Sequence, residues 1–499
     1  MNLYAQLTAA GAPDAPFLET PDGRVVRYGD LGAETGRLAK ALAACGVKPG
    51  DRVLAQVEKS PTALLLYLAA LRAGAVWLPL NTGYTREEAA YFVGDAEPAL
   101  IVCDPAARAA YAAMAGSARV ETLDAEGQGS LAELAAAQRS AFDTVPAAPD
   151  DLAAILYTSG TTGRSKGAML SHGNLASNAA TLAEAWRFTA ADVLIHALPI
   201  FHVHGLFVAT NVVMAAGAAM IFLPRFDPGE VIGLMGRASV LMGVPTFYTR
   251  LLDHAGLTRE AAAGMRLFVS GSAPLLAETH RTFETRTGHA ILERYGMTET
   301  GMNTSNPHDG ERRPGTVGPP LPGVAVRIAD PATGRPLPQG EIGMIEVKGR
   351  NVFKGYWRMP EKTAEAFRAD GFFVTGDLGL IDADGYVSIV GRGKDLIISG
   401  GLNVYPKEVE SVIDALPGVV ESAVVGAPHP DFGEAVVAVV VRADPALDEA
   451  GVLAGLVDRL ARFKQPKRVL FVESLPRNTM GKVQKADLRE EVEGLFRPR

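Results

Sequence analysis

Between residues 24 and 103, short apolar runs alternate with amphipathic stretches. Arg52-Val53-Leu54-Ala55-Gln56-Val57 reads as a strand, Pro61 to Ala73 as a helix, and Ala75-Val76-Trp77-Leu78-Pro79 as the next strand. That alternation predicts parallel sheets with helices on their faces. A second round runs from about 190 to 295, with buried strands expected at Ser239-Val240-Leu241-Met242-Gly243-Val244 and Arg266-Leu267-Phe268-Val269-Ser270. Residues 104 to 150 are alanine-rich and predict only helices and loops. From about 315, glycine and proline punctuate short apolar runs, the pattern of a small β-rich subdomain. After Asp395 comes an α+β unit of roughly 100 residues, with a helix near Lys407 to Ala415 and a hairpin-like Ala435 to Val441. The expected fold class is therefore α/β. A large N-terminal domain of two parallel-type sheets with helices spans 1–393, including the β-rich part at about 315–393, and a small α+β C-terminal domain spans 394–499. A chain of 499 residues is too long for one core, which agrees with this division.

Composition narrows the function. A hydrophobic content of 48% with 21% charged residues describes an ordinary soluble globular protein. The formal net charge of -8 argues against nucleic acid as a partner. Cys45 and Cys103 are the two cysteines, so no disulfide framework is expected, and without an N-terminal hydrophobic leader the cytoplasm is the expected compartment. Val203 to Pro224 lacks Asp, Glu, Lys and Arg and invites a membrane-span reading. Gly217 splits it into a helix and a short strand, so buried core is the better reading and no membrane partner is expected.

The densest chemistry lies in Tyr157-Thr158-Ser159-Gly160-Thr161-Thr162-Gly163-Arg164-Ser165-Lys166-Gly167. Glycines let backbone amides close on phosphate oxygens, hydroxyls add donors, and Lys166 adds charge. The apolar run Ala153-Ala154-Ile155-Leu156-Tyr157 leads a strand into it. The pattern does not fit the G-x-x-x-x-G-K-[ST] phosphate loop, so this is a different phosphate binder. Downstream, in order, come Tyr295-Gly296-Met297-Thr298-Glu299, Thr375-Gly376-Asp377, Gly391-Arg392-Gly393-Lys394-Asp395, Ser399-Gly400-Gly401-Leu402-Asn403-Val404-Tyr405-Pro406 and Asn478-Thr479-Met480-Gly481-Lys482.

With the loop, these motifs resemble the adenylate-forming superfamily of acyl-CoA synthetases, peptide-synthetase adenylation domains and luciferases, over nearly the whole chain. Ser165 departs from the pattern, since many members carry proline there. The resemblance implies ATP, Mg²⁺ and coenzyme A. It assigns Thr158, Ser159, Gly160, Thr161, Thr162, Gly163 and Lys166 to the phosphates, with Thr298 beside them and Glu299 on the metal. Asp377 would grip the ribose hydroxyls with Arg392, while Ser272, Ala273, Pro274 and Tyr295, within Glu293 to Met297 and including Gly296, would frame the adenine. Lys482 would be the catalytic lysine, bridging the attacking carboxylate and the α-phosphate. The C-terminal domain would then rotate about Lys394, bringing the turn with Gly401 to the pantetheine channel. Arg462, Lys464 and Lys467 are candidates for the CoA phosphates, or simply a solvated face. A lysine acyltransferase acting on Lys482 is a further implied partner.

Arg294 stands where a glycine is usual before the Tyr-Gly-Met-Thr-Glu motif. A cation there opposes an apolar or aromatic tail and favours an acid with a second carboxylate, which guanidinium binds bidentately. His202, in Phe201-His202-Val203-His204-Gly205, and Ser270 are expected to reach the same pocket. The combination looks like the malonyl-CoA synthetases, with malonate, and also methylmalonate, as the acid. Alternatively, Arg294 pairs with Glu293 or Glu299 and braces the site. Two other readings stay open: a short- or medium-chain or aryl acyl-CoA ligase, and an adenylation enzyme loading a carrier protein, although no Ser-bearing carrier module follows the Lys482 motif.

Overall fold

The computed structural model describes residues 1–158, 165–400, 402–457, 459–478 and 481–496. Two large sheets dominate the N-terminal part. The first, six-stranded, runs Arg119–Thr122, Leu100–Cys103, Arg52–Gln56, Val76–Pro79, Leu152–Thr158, Lys166–Ser171. The second, eight-stranded, runs Gly301–Ser305, Leu292–Met297, Leu267–Ser270, Val240–Gly243, Val193–His196, Ala219–Phe222, Pro16–Glu19, Val25–Arg27. Inner neighbours are parallel, and antiparallel pairs finish three of the four edges, including Leu152–Thr158 with Lys166–Ser171 and Leu292–Met297 with Gly301–Ser305. The inner parallel strands are mostly apolar and buried, as expected where helices cover both faces of a sheet.

The helix Pro61–Arg72 shows how the core forms. Ser60 caps it by accepting from the Ala63 amide at 3.2 Å, Pro61 occupies the first turn, and Ala63 through Leu71 are all buried. Such all-round apolarity places the helix inside the molecule, where each leucine contributes about 1.5–3 kcal/mol. Its residues join one core cluster with Trp77, Leu194, Phe207 and Val240, so both sheets share an interior. The charge-free stretch after Val203 folds as His204–Thr210 in a π-helical turn, the helix Asn211–Ala215, and the strand Ala219–Phe222. Gly217, at φ 67°, makes the break between them. Among the described residues no helix is long and apolar enough to cross a membrane.

A four-stranded antiparallel sheet follows: Val324–Ala329, Gly343–Gly349, Phe373–Ile381, Val387–Arg392. Beyond it lies a five-stranded sheet with its own core, carrying the helices Pro406–Ile413 and Lys485–Val492. The chain is thus an α/β protein with a large N-terminal part and a smaller α+β C-terminal part. Two local expectations are corrected. The alanine-rich region holds a strand, Arg119–Thr122, which pairs in parallel with Leu100–Cys103 at a sheet edge. Ala435 to Val441 is not itself a hairpin but lies within the single strand Gly433–Arg442, whose antiparallel partner is Val419–His429.

Candidate active site

The strands Leu152–Thr158 and Lys166–Ser171 pair antiparallel through Thr158↔Lys166, so these two residues form the base from which the Ser/Thr/Gly segment departs. Ser159, Gly160, Thr161, Thr162 and Gly163 lie outside the described residues. The hairpin base is held from outside. Tyr91 donates its hydroxyl to the Ser165 carbonyl at 2.7 Å, and Tyr157 donates to Asp95 at 2.5 Å. The Lys166 ammonium sits 4.4 Å over the ring of Tyr356.

The strand Leu292–Met297 supplies the next groups. Tyr295 donates its hydroxyl to Asp377 Oδ2 at 2.5 Å, while Arg392 Nε lies 2.9 Å from Asp377 Oδ1. Asp377 and Arg392 face each other across an antiparallel pair, so the sheet register fixes the contact. The nearby carboxylate raises the Arg392 pKa, and burial pushes the Tyr295 phenol well above its ordinary value. A carboxylate has about four acceptor positions, so two remain for further hydroxyls. Glu293 lies apart from this cluster, opposite His280 Nδ1 at 3.5 Å and accepting from the Gly315 amide at 3.4 Å. Gly296 and Met297 run on to the turn with Thr298, which lines a small cavity with Asn351. Glu299 is buried and accepts from the Tyr356 hydroxyl at 3.1 Å; burial raises its pKa, against that hydrogen bond.

Arg294 is 3% exposed, and its Nε and Nη2 are buried without a hydrogen-bond partner. Burial pushes its pKa down to about 9, which leaves it charged at neutral pH. The bracing alternative fails: Glu293 turns to His280, and Glu299 to Tyr356. The guanidinium packs over Gly271, where a Cβ would fall 2.4 Å from Arg294 Cζ. His204 completes this corner. It is 2% exposed, its Nδ1 lies 3.2 Å from Ser272 Oγ, and its Nε2 has no partner. Burial, then the charge of Arg294, holds the His204 pKa well below its usual value. Ser272 reaches it from a left-handed backbone, φ 73°, in the turn that also holds Ala273 and Pro274.

Two other expected members make no hydrogen bond to Arg294 among the described residues. Ser270 pairs in register with Glu293, so the pleat starts it on the face opposite Arg294; its buried hydroxyl has no partner. His202 feels Lys482 instead, and burial together with that charge lowers its pKa to about 4. The π-helical turn His204–Thr210 presents His204 to the guanidinium. Gly205 permits the turn, since a Cβ there would lie 2.0 Å from the Pro199 carbonyl.

From the C-terminal part, Gly481 packs its backbone against Thr246, beyond the strand Val240–Gly243. Next to it, Lys482 enters a cleft where Arg392, Asp377, Glu299 and Arg294 all act on its charge. Burial, and then Arg392, lowers its pKa; its surface stays exposed in the open cleft, and solvent there tempers the shift. Lys394 is exposed in the turn Gly393–Asp395, immediately after Arg392. Gly401 lies outside the described residues. Lys464 is engaged by Glu408 at 2.5 Å, and Lys467 sits 5.5 Å from the Phe432 ring.

The hairpin base at Lys166, the Tyr295-Asp377-Arg392 cluster and Lys482 from the C-terminal part thus meet at one cleft. Residues 5–357 match the family of AMP-binding enzymes, and residues 408–482 match the AMP-binding enzyme C-terminal domain. The chain belongs to the AMP-binding enzymes. Among solved structures, ATP-bound MatB from Rhodopseudomonas palustris is similar at 63% identity, covering 99% of each chain with a TM-score of 0.98. A feruloyl-CoA synthase from an Amycolatopsis species is 37% identical, over 94% of each chain. A malonate--CoA ligase from Arabidopsis thaliana is 34% identical, over 95% of this chain and 85% of that one. The chain is an AMP-forming acyl-CoA ligase that works with ATP and coenzyme A through an acyl adenylate.

The residues also fit a magnesium ion. Mg²⁺ takes one or two carboxylates and fills its octahedron with phosphate and water. Glu299 is such a carboxylate, buried and held by a hydrogen bond from a neutral phenol. Among the described residues there is no His/Cys/Asp/Glu group that could hold a metal without help from a ligand.

Proposed function

We propose that this chain joins malonate, and methylmalonate as its branched form, to coenzyme A through an acyl adenylate, with release of AMP and pyrophosphate. The observation that carries this reading is the buried, unpaired guanidinium of Arg294. An isolated buried charge costs several kcal/mol, and a second carboxylate on the substrate offsets that cost with a bidentate pair. His204 adds a donor at the same corner if Ser272 donates to its Nδ1, which leaves the proton on Nε2. The likeness to the malonate--CoA ligase supports the same acid. A feruloyl or fatty tail would lie against a bare cation.

The other groups take family roles. The loop Thr158 to Lys166 holds the phosphates, with Thr298 beside it. Asp377 uses its two free acceptor positions for the ribose hydroxyls, and Tyr295 with the Ser272-Ala273-Pro274 turn frames the adenine. Lys482 draws the acid carboxylate and the α-phosphate together; an acid oxygen bonds to α-phosphorus as the bond to pyrophosphate breaks. Mg²⁺ held by Glu299 would neutralise charge on the departing phosphates. The thiol sulfur of CoA then bonds to the acyl carbon and AMP leaves. Lys482 stands in the cleft that the thiol must enter, so the second step calls for the part from 394 onward to turn about Lys394, with the boundary between 393 and 394.

The test is CoA-dependent AMP release across malonate, methylmalonate, succinate, acetate, octanoate and a hydroxycinnamate. Turnover concentrated on malonate supports the proposal; turnover on octanoate or hydroxycinnamate would overturn the acid and leave the adenylate chemistry in place.

A further inference from the structure

Lys166 and Glu299 both contact one aromatic residue, Tyr356, the first at its ring face and the second at its hydroxyl. The Lys166 ammonium lies 4.4 Å over the Tyr356 ring, and the Tyr356 hydroxyl donates to Glu299 Oε1 at 3.1 Å. The two charges are near enough for Lys166 to act on the Glu299 carboxyl, yet among the described residues they form no ion pair. The ring is fixed from several directions. Tyr356 bridges to Ala168, and the Trp357 amide donates to the Gly167 carbonyl at 2.7 Å, which ties the segment to the strand carrying Lys166. The Phe353 amide donates to the Glu299 carbonyl at 2.7 Å, which ties the same segment to the turn carrying Glu299. Thr363 Oγ1 accepts from the Tyr356 amide at 2.8 Å, and Phe353 packs against the ring edge at 4.9 Å.

A flexible lysine beside a buried carboxylate would otherwise close on it, because a charge-assisted hydrogen bond is stronger than a neutral one. Both groups would then be lost to the nucleotide: the cation to the phosphates, the carboxylate to the metal. We propose that Tyr356 is a positioning residue that keeps Lys166 and Glu299 from pairing, the ring holding the ammonium by cation–π attraction and the hydroxyl holding the carboxylate. The inference uses only the ATP chemistry of the family and is independent of the acid.

The experiment is calorimetric binding of ATP and of AMP, both in EDTA, to wild type, Tyr356→Phe and Tyr356→Leu. Tyr356→Phe keeps the ring contacts and serves as the folded reference, checked by its melting temperature. Release of Glu299 onto Lys166 should weaken ATP about tenfold, the worth of one charged hydrogen bond, while AMP, which lacks the phosphates concerned, binds within about twofold of wild type. Adding Lys166→Met should then cost less ATP affinity in the Tyr356→Phe background than in wild type, because the lysine is already engaged. Equal weakening of ATP and AMP would reduce Tyr356 to packing and overturn the proposal, as would unchanged ATP binding or an undiminished cost of Lys166→Met.

Discussion

Replacing Arg294 with methionine separates what the guanidinium does for the substrate from what it does to the fold. In the free protein Arg294 is a buried charge with Nε and Nη2 unpaired, so it should destabilise the molecule. Exchanging a buried charge for an apolar side chain of similar volume is often neutral or stabilising by about 1–4 kcal/mol. For a chain of this size the melting temperature of the variant should rise by roughly 1–5 °C. Substrate has the opposite effect. Malonate at one hundred times its dissociation constant should stabilise wild type by about 2.7 kcal/mol, and the shift should vanish in Arg294→Met. A buried pair worth about 3–5 kcal/mol makes the loss in kcat/KM for malonate about 10²–10³-fold, with acetate affected far less. Scanning fluorimetry with and without malonate, together with AMP release on both acids, measures all of these. A variant that melts lower and loses both acids equally would assign Arg294 to the architecture and refute the reasoning.

Other outcomes follow from the same geometry. Gly271→Ala should displace the guanidinium, since the new Cβ would fall 2.4 Å from Cζ, and should cut malonate turnover by about 10²-fold with the adenine site intact; unchanged malonate kinetics would show that the pocket relaxes freely. Lys482→Ala should lower adenylation by about 10²–10³-fold while thioester formation from a supplied acyl adenylate continues, and equal loss of both steps would remove the argument for domain rotation. Because the ammonium is the working form and its pKa is lowered by burial and Arg392, adenylation should fall as pH rises, below the ordinary lysine range near 10.4; a profile identical in Lys482→Arg would show that another group titrates. Lys394→Pro should stop the thioester step and spare pyrophosphate exchange, and normal overall turnover would move the hinge elsewhere.

Much of the site was legible because its chemistry is local in sequence. Tyr295, Asp377 and Arg392 sit in short motifs, and the register Asp377↔Arg392 then joins two of them. Arg294 was legible because it stands where a glycine is usual before the Tyr-Gly-Met-Thr-Glu motif. What the sequence hid depends on geometry that residue type does not carry. His202 and His204 are two positions apart, and a π-helical turn decides that the second meets the guanidinium. The register of two parallel strands decides which face Ser270 takes. Tyr356 was missed because its partners, Lys166 and Glu299, are distant in the chain; the signal available was the aromatic pair Tyr356-Trp357 after Gly355. The strand Arg119–Thr122 was masked by alanine-rich flanks and a polar edge composition.

The most direct test of the central claim compares malonate with its monomethyl ester as the acid. The two have nearly the same shape and reacting carboxylate, and differ in the second negative charge. With Arg294 buried and unpaired, kcat/KM should favour malonate by about 10²-fold or more, and the preference should disappear in Arg294→Met. Equal use of malonate and its ester by the wild-type enzyme would contradict the account.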